Sequence, residues 1–138
     1  MELRRFAAAI ALGLAGCGGG GGTTSQVPFA GCPAIVAAQD TTLTLISPAR
    51  GATGVSPTVG TIAFSGSFAY ASVTLSPHDG TGQITSGPVI AANGVDTATI
   101  PTLHSGVLYD VQPLTMPMPS VPGCTFQSFQ YAGSFTTR

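Results

Sequence analysis

Thr61-Ile62-Ala63-Phe64-Ser65-Gly66-Ser67-Phe68-Ala69-Tyr70-Ala71-Ser72-Val73-Thr74-Leu75-Ser76 decides the fold class. Large apolar residues recur at every second position, Ile62 with Phe64 before the Gly-Ser pair and Val73 with Leu75 after it. A period of two sends alternate side chains to opposite faces of an extended chain, whereas a helix needs spacings of three and four. The stretch reads as two strands, residues 58–65 and 68–76, turned at Gly66-Ser67. Ile62 and Phe64 are the natural core pair of the first. In the second, strict alternation puts Ala69, Ala71, Val73 and Leu75 on one face and Phe68 with Tyr70 on the other.

The pattern continues in both directions. Upstream, residues 41–46 alternate with Leu43 and Leu45 on one face and stop at Ser47-Pro48, after which Arg50 to Pro57 is a glycine-punctuated connection. Downstream, Pro77-His78-Asp79-Gly80 is a turn by composition. Residues 83–91 and 95–100 read as strands joined at Ala92-Asn93-Gly94, because Asn-Gly accepts positive φ cheaply and is the strongest local hairpin signal. Ala98 and Ile100 should face inward. After Gly106, Val107, Tyr109 and Val111 share the core side, and a last strand is expected over residues 125–136 with Phe129, Tyr131 and Phe135 on one face. No window carries a helical stripe of useful length. Short antiparallel strands with regular turns predict an all-β sandwich or small barrel over residues 40–138.

Two passages favour the sandwich. The run from Ile100 to Val111 resembles the approach to the sixth strand of fibronectin type III and immunoglobulin-like domains, where a leucine plugs the core and a tyrosine six residues later forms a tyrosine corner. Leu103 and Tyr109 match that spacing. Ser47-Pro48-Ala49-Arg50-Gly51-Ala52-Thr53-Gly54-Val55, followed by the second strand and the closing Gly133-Ser134-Phe135-Thr136-Thr137, is similar to the opening and end of bacterial immunoglobulin-like domains. The resemblance implies an antiparallel immunoglobulin-like β-sandwich of about seven strands, a fold that constrains function little. The Pro113 to Cys124 stretch is a departure from that family, which often has a short loop there.

The first residues govern location. Arg4 and Arg5 precede an apolar run from Phe6 to Leu14, then Ala15-Gly16-Cys17 and five glycines. A charged segment, a short apolar segment and small residues are the parts of an export signal. The run falls short of the roughly 20 residues a spanning helix needs. Leu14-Ala15-Gly16-Cys17 resembles the lipobox of bacterial lipoproteins, which implies removal of residues 1–16 as a signal peptide and acylation of Cys17. Two or three acyl chains hold a protein firmly on a bilayer where one does not. Gly18, where that family uses aspartate for inner-membrane retention, points to the outer membrane of the cell envelope. Residues 17–26 then serve as a flexible spacer, and residues 27–39 are expected to pack along the domain.

Composition excludes several functions. Residues 17–138 contain no Glu and no Lys, and only Arg50 and Arg138 oppose Asp40, Asp79, Asp96 and Asp110. Two separated arginines cannot neutralise a run of phosphates, so no nucleic-acid partner is expected. Cys32 and Cys124, in an exported chain, read as a disulfide, since His78 and His104 lack the spacing to complete a metal site with them. Asp40, Asp96 and Asp110 are expected as solubilising charge on outer strand faces, and His78-Asp79 as a solvated turn. Nothing marks an activated nucleophile with its base. The chain is expected to be non-enzymatic, without cofactor or metal.

What remains is contact. Prolines at 113, 117, 119 and 122 hold an extended backbone, with Leu114, Met116, Met118 and Val121 displayed between them. These side chains either cap the open end of the domain or form a docking edge for an envelope or surface protein. The expected function is that of a membrane-tethered structural or interaction module. The alternative is a small-ligand or glycan-binding module, using end loops and exposed aromatics such as Phe68, Tyr70 and Phe126.

Overall fold

The computed structural model describes Cys32, residues 36–119 and residues 122–138. The signal peptide, Cys17, the spacer, most of the 27–35 segment and Val121 lie outside the described residues. Ten short strands follow in order: β1 (Thr44–Ser47), β2 (Thr61–Ser65), β3 (Tyr70–Pro77), β4 (Ile84–Thr85), β5 (Ile90–Ala92), β6 (Val95–Thr99), β7 (Leu108–Thr115), β8 (Met118–Pro119), β9 (Thr125–Phe126) and β10 (Gly133–Thr136). They form three antiparallel sheets: β1-β2-β6-β5, β10-β7-β3-β4, and the pair β8-β9. The count exceeds the seven expected because two of the long strands read from the sequence are each broken in two and β8 forms in the proline-rich stretch, where no strand was expected.

Both four-stranded sheets feed one hydrophobic cluster. Leu45, Ile62, Phe64 and Ala98 enter it from the first sheet, and Val73, Leu75, Tyr109, Val111 and Phe135 from the second. Each fully buried large apolar side chain contributes roughly 1.5–3 kcal/mol. The alternation read in β2, β6 and β7 is what aims these residues at a common interior. At the β5-β6 turn, Asn93 and Gly94 both take positive φ, 53° and 75°, and Ala92 pairs with Val95 across a two-residue loop. That is the hairpin geometry Asn-Gly favours.

Four expectations are corrected. First, Gly66-Ser67 does not close a hairpin, because β2 belongs to one sheet and β3 to the other; the connection is gripped by Asp40, whose carboxylate accepts from Ser67 and Phe68 N–H. Second, Tyr70 is buried. A bulge between Tyr70 and Ser72 inserts one residue against β7 and reverses the alternation, so Tyr70 joins Val73 and Leu75 inside.

Third, the expected strand over residues 83–91 changes sheets midway. Ser86 N–H donates to Val73 of one sheet and Gly87 N–H to Thr99 of the other. Pro88 has no N–H to continue a ladder, and a Cβ at position 87 would lie 2.7 Å from Thr99 Oγ1, so any larger residue there would have to displace that hydroxyl. Fourth, residues 125–136 are not one strand. Gly133 adopts φ 147°, which breaks the alternation, so that Ala132 and Phe135 are buried while Tyr131 is 44% exposed.

The Arg50 to Pro57 connection runs beside β10 and pairs with it. Gly51 and Val55 N–H donate to Ser134 and Thr136, and Thr136 N–H donates back to Ala52. It thereby covers backbone groups that an open edge would leave free to recruit another chain.

Tyr109 is fully buried, 5.8 Å from the Phe135 ring centroid to centroid, and its hydroxyl accepts the His104 N–H at 2.9 Å. Leu103 is buried beside it in the core. Replacing Tyr109 with Phe strands that N–H and is expected to lower stability by about 1–2 kcal/mol. Urea denaturation at neutral pH measures it, and an unchanged midpoint would show that the bond carries no net weight.

Candidate interaction surface

β7 and β3 run antiparallel, with Tyr70 opposite Thr115 at one end and Pro77 opposite Tyr109 at the other. The proline-rich stretch leaves from the Tyr70 end. Its beginning is not loop: Pro113 and Leu114 lie inside β7, paired with Val73 and Ser72 of β3. Leu114 is half-buried and bridges to Phe129, so it is no part of an exposed edge. Proline is tolerated there because the ladder asks only for its carbonyl, which accepts Gln130 N–H at 2.8 Å.

Beyond Thr115 the chain forms the small hairpin β8-β9, with Met118 opposite Phe126 and Pro119 opposite Thr125. Met116 is 46% exposed at its base, Met118 and Phe126 are half-buried, and Pro117 and Pro119 are exposed. Cys124, next to β9, is disulfide-bonded to Cys32. The staple therefore brings the start of the domain to this hairpin. Of the four loop residues expected to act together, Met116 and Met118 lie on the hairpin, Leu114 is in the sheet, and Val121 is outside the described residues.

A buried polar network that the sequence reading missed fixes the hairpin's base. Thr115, Ser128 and Gln130 are all buried. Ser128 N–H donates to Thr115 Oγ1, Gln127 Nε2 to the Thr115 carbonyl, and Gln130 Nε2 to Ser128 Oγ and to the Ala38 carbonyl. Gln130 Oε1 accepts Asp40 N–H at 2.8 Å. Buried polar groups persist only when each finds partners, and these do so by tying the 36–40 segment to the hairpin's return strand. Polar residues in an uncharged, serine-rich stretch gave no spacing from which to read this.

Asp40 also departs from its expected role. It is 8% exposed rather than a surface charge. Its carboxylate accepts from Thr42 N–H and hydroxyl, Ser67 N–H and hydroxyl, Phe68 N–H, and the Tyr70 hydroxyl at 2.7 Å. Burial pushes its pKa up, but the hydrogen bonds from Thr42, Tyr70 and Ser67 together outweigh burial and hold it well below the usual carboxylate range. Burial, then the bond to Asp40, pushes the Tyr70 hydroxyl upward. With its ring edge-on to Phe64 at 5.3 Å, Tyr70 is a core residue and offers no aromatic face outward. Phe68 packs partly buried against the same core.

At the opposite end, His78 Nε2 lies 2.8 Å from Asp110 Oδ2, and His104 Nδ1 lies 3.2 Å from Asp79 Oδ2. The pairs link the β3-β4 turn to β7 and to the β6-β7 connection. Hydrogen bonds from the Thr81 hydroxyl and N–H lower the Asp79 pKa to about 2. Both histidines are more than half exposed, and such surface pairs add little stability. Among the described residues, no three His, Cys, Asp or Glu side chains come together as a metal ion would require. Asp96, half-buried on β6, has its pKa raised by desolvation.

Comparison of the chain with known family models, with curated proteins and with solved structures gives no match.

Proposed function

We propose that this protein is a non-enzymatic, lipid-anchored module of the bacterial cell envelope, in which an immunoglobulin-like sandwich held on a spacer from Cys17 acts by surface contact. The strand order carries the reading. In immunoglobulin-like domains the first, second, fifth and fourth principal strands make one sheet and the third, sixth and seventh the other. With β4 counted as an added edge strand, β1-β2-β6-β5 and β10-β7-β3-β4 follow that order. The shared core and the Tyr109 hydroxyl bonded to the His104 N–H support the same reading. On this reading the β8-β9 hairpin is an insertion between the last two strands, and contact is its function.

Glycan binding through an aromatic platform is the weaker reading, since Tyr70 is inside the core. The anchor is tested by feeding expressing bacteria an alkyne fatty acid and comparing wild type with Cys17→Ser. Wild type is expected to take the label and fractionate with membranes, and the variant to do neither. An unlabelled wild-type protein would remove the anchor from the proposal.

A further inference from the structure

We infer that the β8-β9 hairpin rests on the lipid surface itself, so that the tethered domain stands with its Met116 end down and its His78 end outward. The inference depends on the proposed acylation of Cys17.

Three observations converge on this orientation. The Cys32–Cys124 bond fixes the start of the domain to the hairpin, so a tether from Cys17 can only arrive at this end. Cys32 follows Cys17 by only 15 positions, so this end of the domain is the one the tether holds nearest the lipid.

Charge is also divided between the two ends. From Val111 to Thr137 the sequence has no ionisable side chain other than the stapled Cys124 and Tyr131. His78, Asp79, His104 and Asp110 gather at the opposite end. Of the two carboxylates nearer the hairpin, Asp40 is turned onto its donors and Asp96 is half-buried.

The apolar side chains left exposed near the staple are suited to an interface. Val36, just after Cys32, is 91% exposed and Met116 46%. Methionine is flexible and polarizable enough to settle among disordered groups, and small apolar side chains bury into the boundary between headgroups and acyl chains. So few residues would not hold a free protein on a bilayer. A short tether makes the contact intramolecular, at an effective concentration on the order of millimolar, and weak contacts then suffice.

The chain has no tryptophan, which makes a single introduced one a clean reporter. Full-length acylated Met116→Trp, Val36→Trp and Ser105→Trp proteins would each be reconstituted in phosphatidylcholine vesicles with and without dibrominated acyl chains. Flotation of the vesicles reads the anchor, and bromine quenching reads the docking. The expected result is that all three float, that Met116→Trp and Val36→Trp lose emission to brominated lipid and shift to the blue, and that Ser105→Trp does neither. Floating proteins with equal quenching at all three positions, or none, overturn the docking and leave the anchor standing. A blue shift at position 116 that follows protein density and ignores bromine overturns it in favour of a second copy of the chain. Proteins that fail to float overturn the anchor, and the inference with it.

Discussion

Asp40→Ala is expected to destabilise the domain by about 3–4 kcal/mol, more than any other single polar substitution. The carboxylate accepts six hydrogen bonds, from Thr42, Ser67, Phe68 and Tyr70. Hydrogen bonds to a charged group each contribute roughly 1.5–3 kcal/mol, not additively, and their loss here strands the buried Tyr70 hydroxyl and the N–H groups of Thr42, Ser67 and Phe68. Asp40→Asn keeps the shape but turns an NH₂ towards donors, so it should lose nearly as much.

The pH dependence has a defined sign. A carboxyl held low in the folded state takes up a proton more readily when unfolded, so its stabilisation is complete above the unfolded pKa of about 3.9 and declines as pH falls through the folded value. With Asp40 lowered, wild type should therefore begin to lose this contribution at about pH 4 and go on losing it into stronger acid, and Asp40→Asn should lack that part of the acid dependence. Urea titrations from pH 7 to pH 2 compare the two. Parallel curves with equal midpoints would dismiss the carboxylate as an organiser of the fold.

Removing the disulfide by Cys32→Ser with Cys124→Ser is expected to have the other large effect, about 4 kcal/mol. The bond spans a sequence separation of 92 residues, and closing so long a loop restricts the unfolded chain strongly in the chain-entropy description. The folded core should survive, because Asp40 and Gln130 hold the 36–40 segment by hydrogen bonds that do not involve the sulfurs. The β spectrum should be retained while the urea midpoint falls, and reduction of the wild type should reproduce the shift. An unchanged midpoint would mean that the staple positions the start of the domain without stabilising it. In that case its value would lie in orientation alone.

Of the candidate surface, the Cys32–Cys124 pairing is legible in the sequence, because two cysteines remain once Cys17 is set apart. Leu114 was misplaced. Its neighbour Pro113 looks like the start of a loop until the ladder is seen to use only the proline carbonyl. Alternation alone puts Tyr70 outside because it carries no sign of a bulge, and the single inserted residue at Ala71 inverts every position before it. Asp40 and Gln130 were unreadable for a related reason. A lone aspartate looks the same in sequence whether it meets water or six donors arriving from residues 42 to 70.

Local periodicity was sufficient to establish an all-β domain, the inward residues Leu43, Leu45, Ile62, Phe64, Ala98, Val107, Tyr109 and Val111, and the Asn93-Gly94 turn, because these depend on the backbone's own period of two and on the φ a residue tolerates. Only the tertiary structure decided which strands share a sheet, that residues 83–91 cross from one sheet to the other, and that Asp40 is interior. Those outcomes depend on groups far apart in the chain satisfying one another once water is excluded, and a hydrogen bond across 90 residues, as between Asp40 and Gln130, leaves no periodic trace in the sequence.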